Sequence, residues 1–305
     1  MVSITTKKIK ENEYLYLVES IKKNGKATKK TIKYIGKKRP LPKEEIECMK
    51  YSHSKEDWIL NNSMDCLSYK DHTIMKKASN NQKEYIASLD KISKEKEKEK
   101  FLSIFISNSN AIEGSTLSVK DTFNYLFNDI LPQGKSKKEL HMADNLLKAW
   151  NYLERNVKKM PTENDLKILH KYVNQGIEED STLGNYKNLQ NYIGDVLTSS
   201  YLFVEDKMGQ LMKWIKQSFK ELNDFEVAFQ SHSQFEIIHP FIDGNGRTGR
   251  LLINWLLINK GLSPIAIPYK ERAKYINALE NSRRGKIEAI VKFCFEIYIK
   301  QYEFE

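Results

Sequence analysis

His239-Pro240-Phe241-Ile242-Asp243-Gly244-Asn245-Gly246-Arg247-Thr248-Gly249-Arg250 gathers an imidazole, a carboxylate, a turn of small residues and two guanidiniums into twelve positions. Pro240 disfavours helix for the residue before it, so the segment Asp224 to Ile238, with Phe225, Ala228, Phe235 and Ile238 on an apolar stripe, is expected to end at His239. After Gly246 the apolar pattern turns helical again through Leu251, Leu252, Trp255, Leu256 and Ile258, until Gly261 and Pro264 stop it. A loop between two helices thus feeds a helix N-terminus. Unpaired amides there attract anions, and Gly244 and Gly246 let a phosphate approach the backbone.

Gly244, Gly246 and Gly249 also satisfy GxGxxG, but the dinucleotide fingerprint requires a preceding strand and a βαβ unit, and here a helix precedes. A P-loop lacks its Gly-Lys-Ser/Thr. The twelve residues instead resemble the Fic-domain signature, His-x-Phe-x-Asp/Glu-Gly-Asn-Gly-Arg-x-x-Arg, at every fixed position. The resemblance implies a mainly α fold, a helical bundle with a β-hairpin flap, that transfers AMP from ATP onto hydroxyl side chains of target proteins. It implies that His239 is the general base, a role suited to an imidazole. Asp243 would hold Mg²⁺, a hard cation that takes oxygen ligands. Gly244, Asn245 and Gly246 would form the anion hole, and Arg247 and Arg250 would grip the outer phosphates as forked donors. Phe241 is read as packing inward.

Upstream, Ser109 and Glu113 in Ser109-Asn110-Ala111-Ile112-Glu113-Gly114 are four apart and share a helix face, so the hydroxyl is expected to steady the carboxylate. Phe101, Ile104, Phe105 and Ile112 give this helix a buried side, and the charged run Lys94 to Lys100 leads into it. The motif resembles the inhibitory Ser/Thr-x-x-x-Glu-Gly/Asn of Fic proteins with an N-terminal inhibitory helix. That resemblance implies that Glu113 engages Arg250 in place of the γ-phosphate. Gly184-Asn185-Tyr186-Lys187 and Leu189 to Ser199 resemble the flap, with Lys187 where Arg is common. Arg272, Lys274 and Tyr275 resemble the stretch that closes over base and ribose, with Tyr275 as the base contact and Asn281 and Arg283 behind it. Removal of AMP by the same site, with Glu113 orienting a water, is the alternative activity.

At 305 residues the chain accommodates one substantial core and a small accessory module. Three expected regions are a basic β module over 1–40, a helical region over 41–100, and the inhibitory helix with the catalytic core over 101–305. No apolar run is long enough to cross a bilayer and no signal peptide begins the chain, so a cytoplasmic location is expected. Cys48, Cys66 and Cys294 are odd in number and unpatterned, consistent with reduced thiols. His53, His72, His141, His170 and His232 show no metal-ligand spacing and read as packing or surface residues. A homodimer is compatible with the resemblance.

The net charge of +10 is concentrated in the first forty residues. There Tyr14–Val18 and Thr31–Gly36 read as strands around a turn at Asn24-Gly25. Such a hairpin suits a soluble cap first, a docking site for a protein partner second and a nucleic-acid contact third, the last two being the different-class alternative of a binding regulator with a subsidiary Fic site.

Overall fold

The computed structural model describes residues 2–23, 26–54, 65–193 and 196–303. Helices begin where sequence chemistry dictates. Capping boxes at Ser68/Asp71, Ser118/Asp121, Ser136/Glu139 and Thr162/Asp165 start α2 (Tyr69–Ser88), α4 (Val119–Asn128), α5 (Lys137–Asn156) and α6 (Glu163–Asn174). In each, the hydroxyl accepts from the third helical amide while the carboxylate accepts from the cap's own amide. Asp90 caps α3 (Lys91–Ile112) through the amides of Ile92 and Ser93.

At the centre lie α8 (Asp224–Ile238) and α9 (Asn245–Asn259), joined by the loop of the sequence motif. Leu251, Leu252, Ile253, Trp255, Leu256 and Leu257 bury every side of α9, as expected of a helix enclosed by others. α5, α6, α7 (Val204–Ser218), α10 (Arg272–Arg283) and α11 (Glu288–Tyr302) surround this pair in one continuous core. Asn254 exchanges two hydrogen bonds with the backbone of Ile265, and Trp255 Nε1 donates to Lys159 O at 2.9 Å. These satisfy the polar atoms that the core encloses.

The N-terminal module is an antiparallel sheet of three strands in the order β1-β2-β3 (Val2–Ile9, Asn12–Lys23, Lys26–Lys37). β1 was not legible in the sequence, because Thr5-Thr6-Lys7-Lys8 lacks an apolar alternation; it forms by pairing along its whole length with Asn12 to Glu19 of β2. The expected turn residues Asn24 and Gly25 lie outside the described residues. Leu15, Leu17 and Ile35 point from one sheet face onto Met49 of α1 (Lys43–Ser54) and onto Phe203, which precedes α7. α1 therefore packs with the sheet.

The unit sits at the base of the flap. β4 (Tyr192–Ile193) pairs antiparallel with β5 (Val196–Leu197); Gly194, the expected flap turn, lies outside the described residues. Just past β5, the Cys48 thiol donates to Thr198 O at 3.1 Å, Ser200 N donates to Ser52 Oγ at 2.9 Å, and Lys33 pairs with Asp206. Phe203→Ala should remove the apolar anchor of the module, a loss of about 3–5 kcal/mol for a buried Phe. Limited proteolysis should then cut near residues 38–42 while the rest of the chain resists. An unchanged digestion pattern would show that the polar contacts suffice.

Candidate active site

The helix before the loop ends as expected, with His239 in the left-handed region (φ 50°) and its amide donating to Phe235 O at 2.8 Å. Left-handed geometry is uncommon for a residue with a Cβ and occurs where the surroundings impose it. Asn245 imposes part of it: its Oδ1 accepts from Phe241 N and its Nδ2 donates to Phe241 O, both at 2.9 Å. The Asn245 side chain is therefore committed to the loop, and only its amide faces an incoming anion. Phe241 is fully buried, stacked on the His170 ring with centroids 3.8 Å apart.

His170 and Asn174 hold the loop from α6. Gly184 N donates to His170 Nδ1 at 3.0 Å, so Nε2 carries the proton and donates to Asp243 O at 2.9 Å. Asn174 Nδ2 also donates to Asp243 O, and Asn174 Oδ1 accepts from Arg247 at 3.0 Å. Neither residue carried a functional signal in the sequence, because their contribution exists only once α6 meets the loop. Gly244 adopts φ 75° and its Cα faces the Asn174 amide, which a side chain there would strike.

Four groups meet around the N-terminus of α9. The Asp243 side chain is 54% exposed, with a 3.5 Å contact to Arg247. Its oxygens are open to a hard cation, so the residue fits Mg²⁺ held between one carboxylate, phosphates and water. Arg247 is buried, bonded to Val173 O and Asn174, and among the described residues its Nε has no hydrogen-bond partner. Arg250, 2% exposed, donates from Nε to Ser109 Oγ at 2.8 Å and from its second amino group to Ser109 O at 2.9 Å and Glu113 Oε1 at 2.7 Å. Burial alone would lower its pKa; Tyr275 and Glu113 outweigh that and raise it. Glu113 stands over the helix start so closely that a Cβ on Gly246 would collide with its Oε1.

This geometry corrects the expected partner of Ser109 and places Tyr275 in the core. Ser109 does not steady Glu113; its hydroxyl is taken by Arg250 Nε, because the guanidinium is the buried cation in need of acceptors. Tyr275 is 1% exposed, its hydroxyl 2.6 Å from His232 Nε2 and 3.5 Å from Arg250, so it lies inside the core and offers no ring face to a base. Its neighbours are likewise engaged: Arg272 Nε caps α3 at Ile112 O (3.0 Å), where a cation suits the helix dipole, and Lys274 pairs with Glu271 at 2.9 Å. Asn281 Nδ2 donates to Asn277 O within its own helix. Burial lowers the pKa of Arg283, and Glu236 opposes the shift.

His239 is neutral in this setting. Burial, then the like charges of Lys187 and Arg283, push its pKa down to about 3. Its Nδ1 lies 3.7 Å from Glu236 Oε2, too far for a hydrogen bond. Glu236, absent from the sequence-based site, is itself buried; burial pushes its pKa up to about 7 and Arg250 and Arg283 oppose the shift. Lys187 Nζ donates to Asn191 Oδ1 and Thr198 Oγ1 at 2.7 and 2.6 Å, and Asn191 donates to Phe241 O at 2.9 Å, joining the flap to the loop.

Residues 161–257 match the model of the Fic/DOC family, and this segment is a Fic domain; residues 2–55 match the N-terminal domain of the IS1634 family of transposases. The chain is 30% identical over 204 residues to the protein adenylyltransferase Fic of Nematostella vectensis, covering 65% of this chain and 48% of that one. It is 27% identical over 195 residues to the protein adenylyltransferase fic-1 of Caenorhabditis elegans, covering 62% and 38%. The chain thus spans half or less of the length of these curated relatives. In structure, a fragment of C. elegans Fic-1 superposes with a TM-score of 0.66 at 23% identity, covering 76% of this chain and 71% of that one. A Fic-domain signaling protein of Bacteroides thetaiotaomicron superposes at 0.65 and 22% identity, covering 76% and 95%. These two likenesses show the fold: mainly helical, with the small sheet appended.

The buried titratable groups set a pH dependence. Burial pushes His170 down to about 4 and His232 and His239 to about 3. Each folds neutral and takes up a proton on unfolding, so stability rises with pH between about 4 and 6.5. Glu236 keeps its proton in the fold between about 4.5 and 7 and acts in the opposite direction. Three histidines outweigh one carboxyl. Stability by urea unfolding should fall as pH drops from 6.5 to 4.5, by about 1.4 kcal/mol per pH unit for each net proton, and Glu236→Gln should steepen the fall. A flat profile would contradict the neutral, buried state of the imidazoles.

Proposed function

We propose that the chain is an autoinhibited protein adenylyltransferase that transfers AMP from ATP to a Ser, Thr or Tyr hydroxyl of a target protein. The observation that carries this reading is an imidazole, His239, on the same short loop as a helix N-terminus that no side chain caps, a solvent-facing carboxylate and two buried arginines. The similarity to proteins named protein adenylyltransferase supports it.

In this reading the amides at Gly244, Asn245 and Gly246 receive the α-phosphate, and Arg247, with its unfilled Nε, receives the outer phosphates. Asp243 would hold Mg²⁺, which would supply charge neutralisation for the bound triphosphate. The target hydroxyl gives its proton to His239 as its oxygen bonds to the α-phosphorus, and the bond to the β-phosphate oxygen breaks to release pyrophosphate. The triphosphate's negative charge raises the basicity of His239 once ATP is bound, which suits a group that must take up a proton. The flap, tied to the loop through Asn191, offers an edge for a target segment in extended form. Cys48, Cys66 and Cys294 form no disulfide, which suits a reducing compartment such as the cytosol, and no helix among the described residues is long and apolar enough to cross a membrane.

Glu113 supplies the inhibition. While it holds Arg250, that guanidinium cannot also clamp a phosphate, and ATP binds with its α-phosphate poorly aimed.

His239→Ala should lower AMP transfer by about 10²–10⁴-fold while ATP affinity, measured by calorimetry, stays within about threefold because the phosphates are held elsewhere. Transfer within about tenfold of the parent would remove His239 from the base role. Ser109→Ala should raise transfer by about tenfold, since it removes a hydrogen bond to a charged group that holds Arg250 in its inhibited position, worth about 1.5–3 kcal/mol. A Ser109→Ala protein as silent as the parent in the same assay would show that Glu113 alone fixes Arg250.

A further inference from the structure

The sheet of the N-terminal module has two unlike faces. One is spent on the core: Leu15, Leu17 and Ile35 pack against Met49 and Phe203. Side chains alternate across a strand, so Tyr14, Tyr16 and Tyr34 stand on the other face. Cross-strand register places Tyr16 opposite Tyr34 and between it and Thr5, and Tyr14 opposite Lys37. Three tyrosines far apart in sequence become one aromatic patch. The Tyr16 and Tyr34 rings are 5.3 Å apart, Tyr14 and Tyr34 6.0 Å, and Lys7 Nζ stands 4.6 Å over the Tyr16 ring. Tyr34 is 51% exposed.

Its surroundings are strongly cationic. Residues 1–40 carry twelve Lys and Arg against three Glu, which is +9 of the chain's +10. Lys38, Arg39 and Lys33 are neutralised by Glu13, Glu45 and Asp206. Lys7, Lys8, Lys10, Lys29, Lys30 and Lys37 are exposed, and among the described residues none has a carboxylate partner. Strands of this length span roughly 40 Å, enough to follow several nucleotides of a chain. Lysines alone would suit any polyanion. Lysines around clustered tyrosine rings suit one whose anionic groups alternate with flat apolar rings.

We propose that this tyrosine–lysine face is a docking site for single-stranded nucleic acid, with phosphates on the lysines and bases stacked on Tyr34 and its neighbours. The face lies on the module that packs at the base of the flap, so the bound strand and the target segment are held by the same end of the molecule. The proposal is independent of the nucleotide-transfer reading, since none of its residues belongs to that site.

The test is fluorescence anisotropy of the full chain with a labelled 20-nucleotide single strand of DNA, its duplex and polyglutamate, over a range of salt. The single strand should bind tightest, with the logarithm of affinity falling linearly with the logarithm of salt. Lys7→Glu with Lys29→Glu and Lys37→Glu should weaken it by more than a hundredfold and flatten the salt slope. Tyr34→Ala should weaken single-strand binding by about tenfold, leave the salt slope and the duplex unchanged, and be rescued by Tyr34→Phe. Because Tyr34 is exposed, its variants should fold, as their circular dichroism and melting temperature would show. Duplex binding as tight as single-strand binding, or no loss in Tyr34→Ala, would overturn the stacking role. Polyglutamate competing equally at matched charge would overturn the proposal and point to an acidic protein partner.

Discussion

A guanidinium enclosed by protein must find acceptors, and the disposition of the active site follows from how Arg250 finds them. Its three contacts with α3, at Ser109 Oγ, Ser109 O and Glu113 Oε1, span 2.7–2.9 Å. They draw the C-terminal end of α3 onto the N-terminal half of α9. Arg272 and the Tyr269 amide then pin that end by bonding Ile112 O and Asn108 Oδ1. Only one of the acceptors, the Glu113 carboxylate, is partly solvent-exposed, at 35%. It is the contact that an incoming phosphate can replace without dismantling the core, since phosphate offers the same guanidinium the same kind of charged acceptor.

The loop itself is built not to move. Asn245 ties Phe241, Phe241 stacks on His170, and His170 and Asn174 both bind Asp243 O. These contacts are buried or partly buried, where leaving a donor or acceptor unpaired is costly. The amides at the start of α9, which the proposed function assigns to phosphate, are thereby preorganised. Under the proposed inhibition by Glu113, regulation would require no change of fold, only the exchange of one acceptor at Arg250.

Local chemistry was legible in the sequence and tertiary chemistry was not. The helix–loop–helix around His239 follows from Pro240, Gly244 and the apolar periodicity on either side, all within a few residues of one another. The contact of Glu113 with Arg250 spans 137 positions and was reachable only through the resemblance of both segments to known motifs. Spacing does not distinguish a side chain lining a pocket from one in a buried network, where Tyr275 contacts His232 and Arg250. Ser109 was assigned the wrong partner because its i+4 neighbour was visible and Arg250 was not. Glu236, His170 and Asn174 carried no signal: each is an ordinary helix residue until the loop packs against it. In the N-terminal module the charge was plain, whereas the meeting of Tyr14, Tyr16 and Tyr34 depends on a register set by bulges in β2–β3 pairing.

The account stands most directly on the initial rate of AMP transfer by the Glu113→Gly protein, measured beside the parent with labelled ATP, Mg²⁺ and an acceptor, with ATP affinity measured in parallel. Freed of its carboxylate, Arg250 should turn to the phosphates, and the rate should rise by at least tenfold while affinity changes by less than about threefold. A rate equal to or below the parent's, with ATP bound equally well, would contradict the account and leave Glu113 as a structural partner of a buried arginine or as the group that orients water for AMP removal.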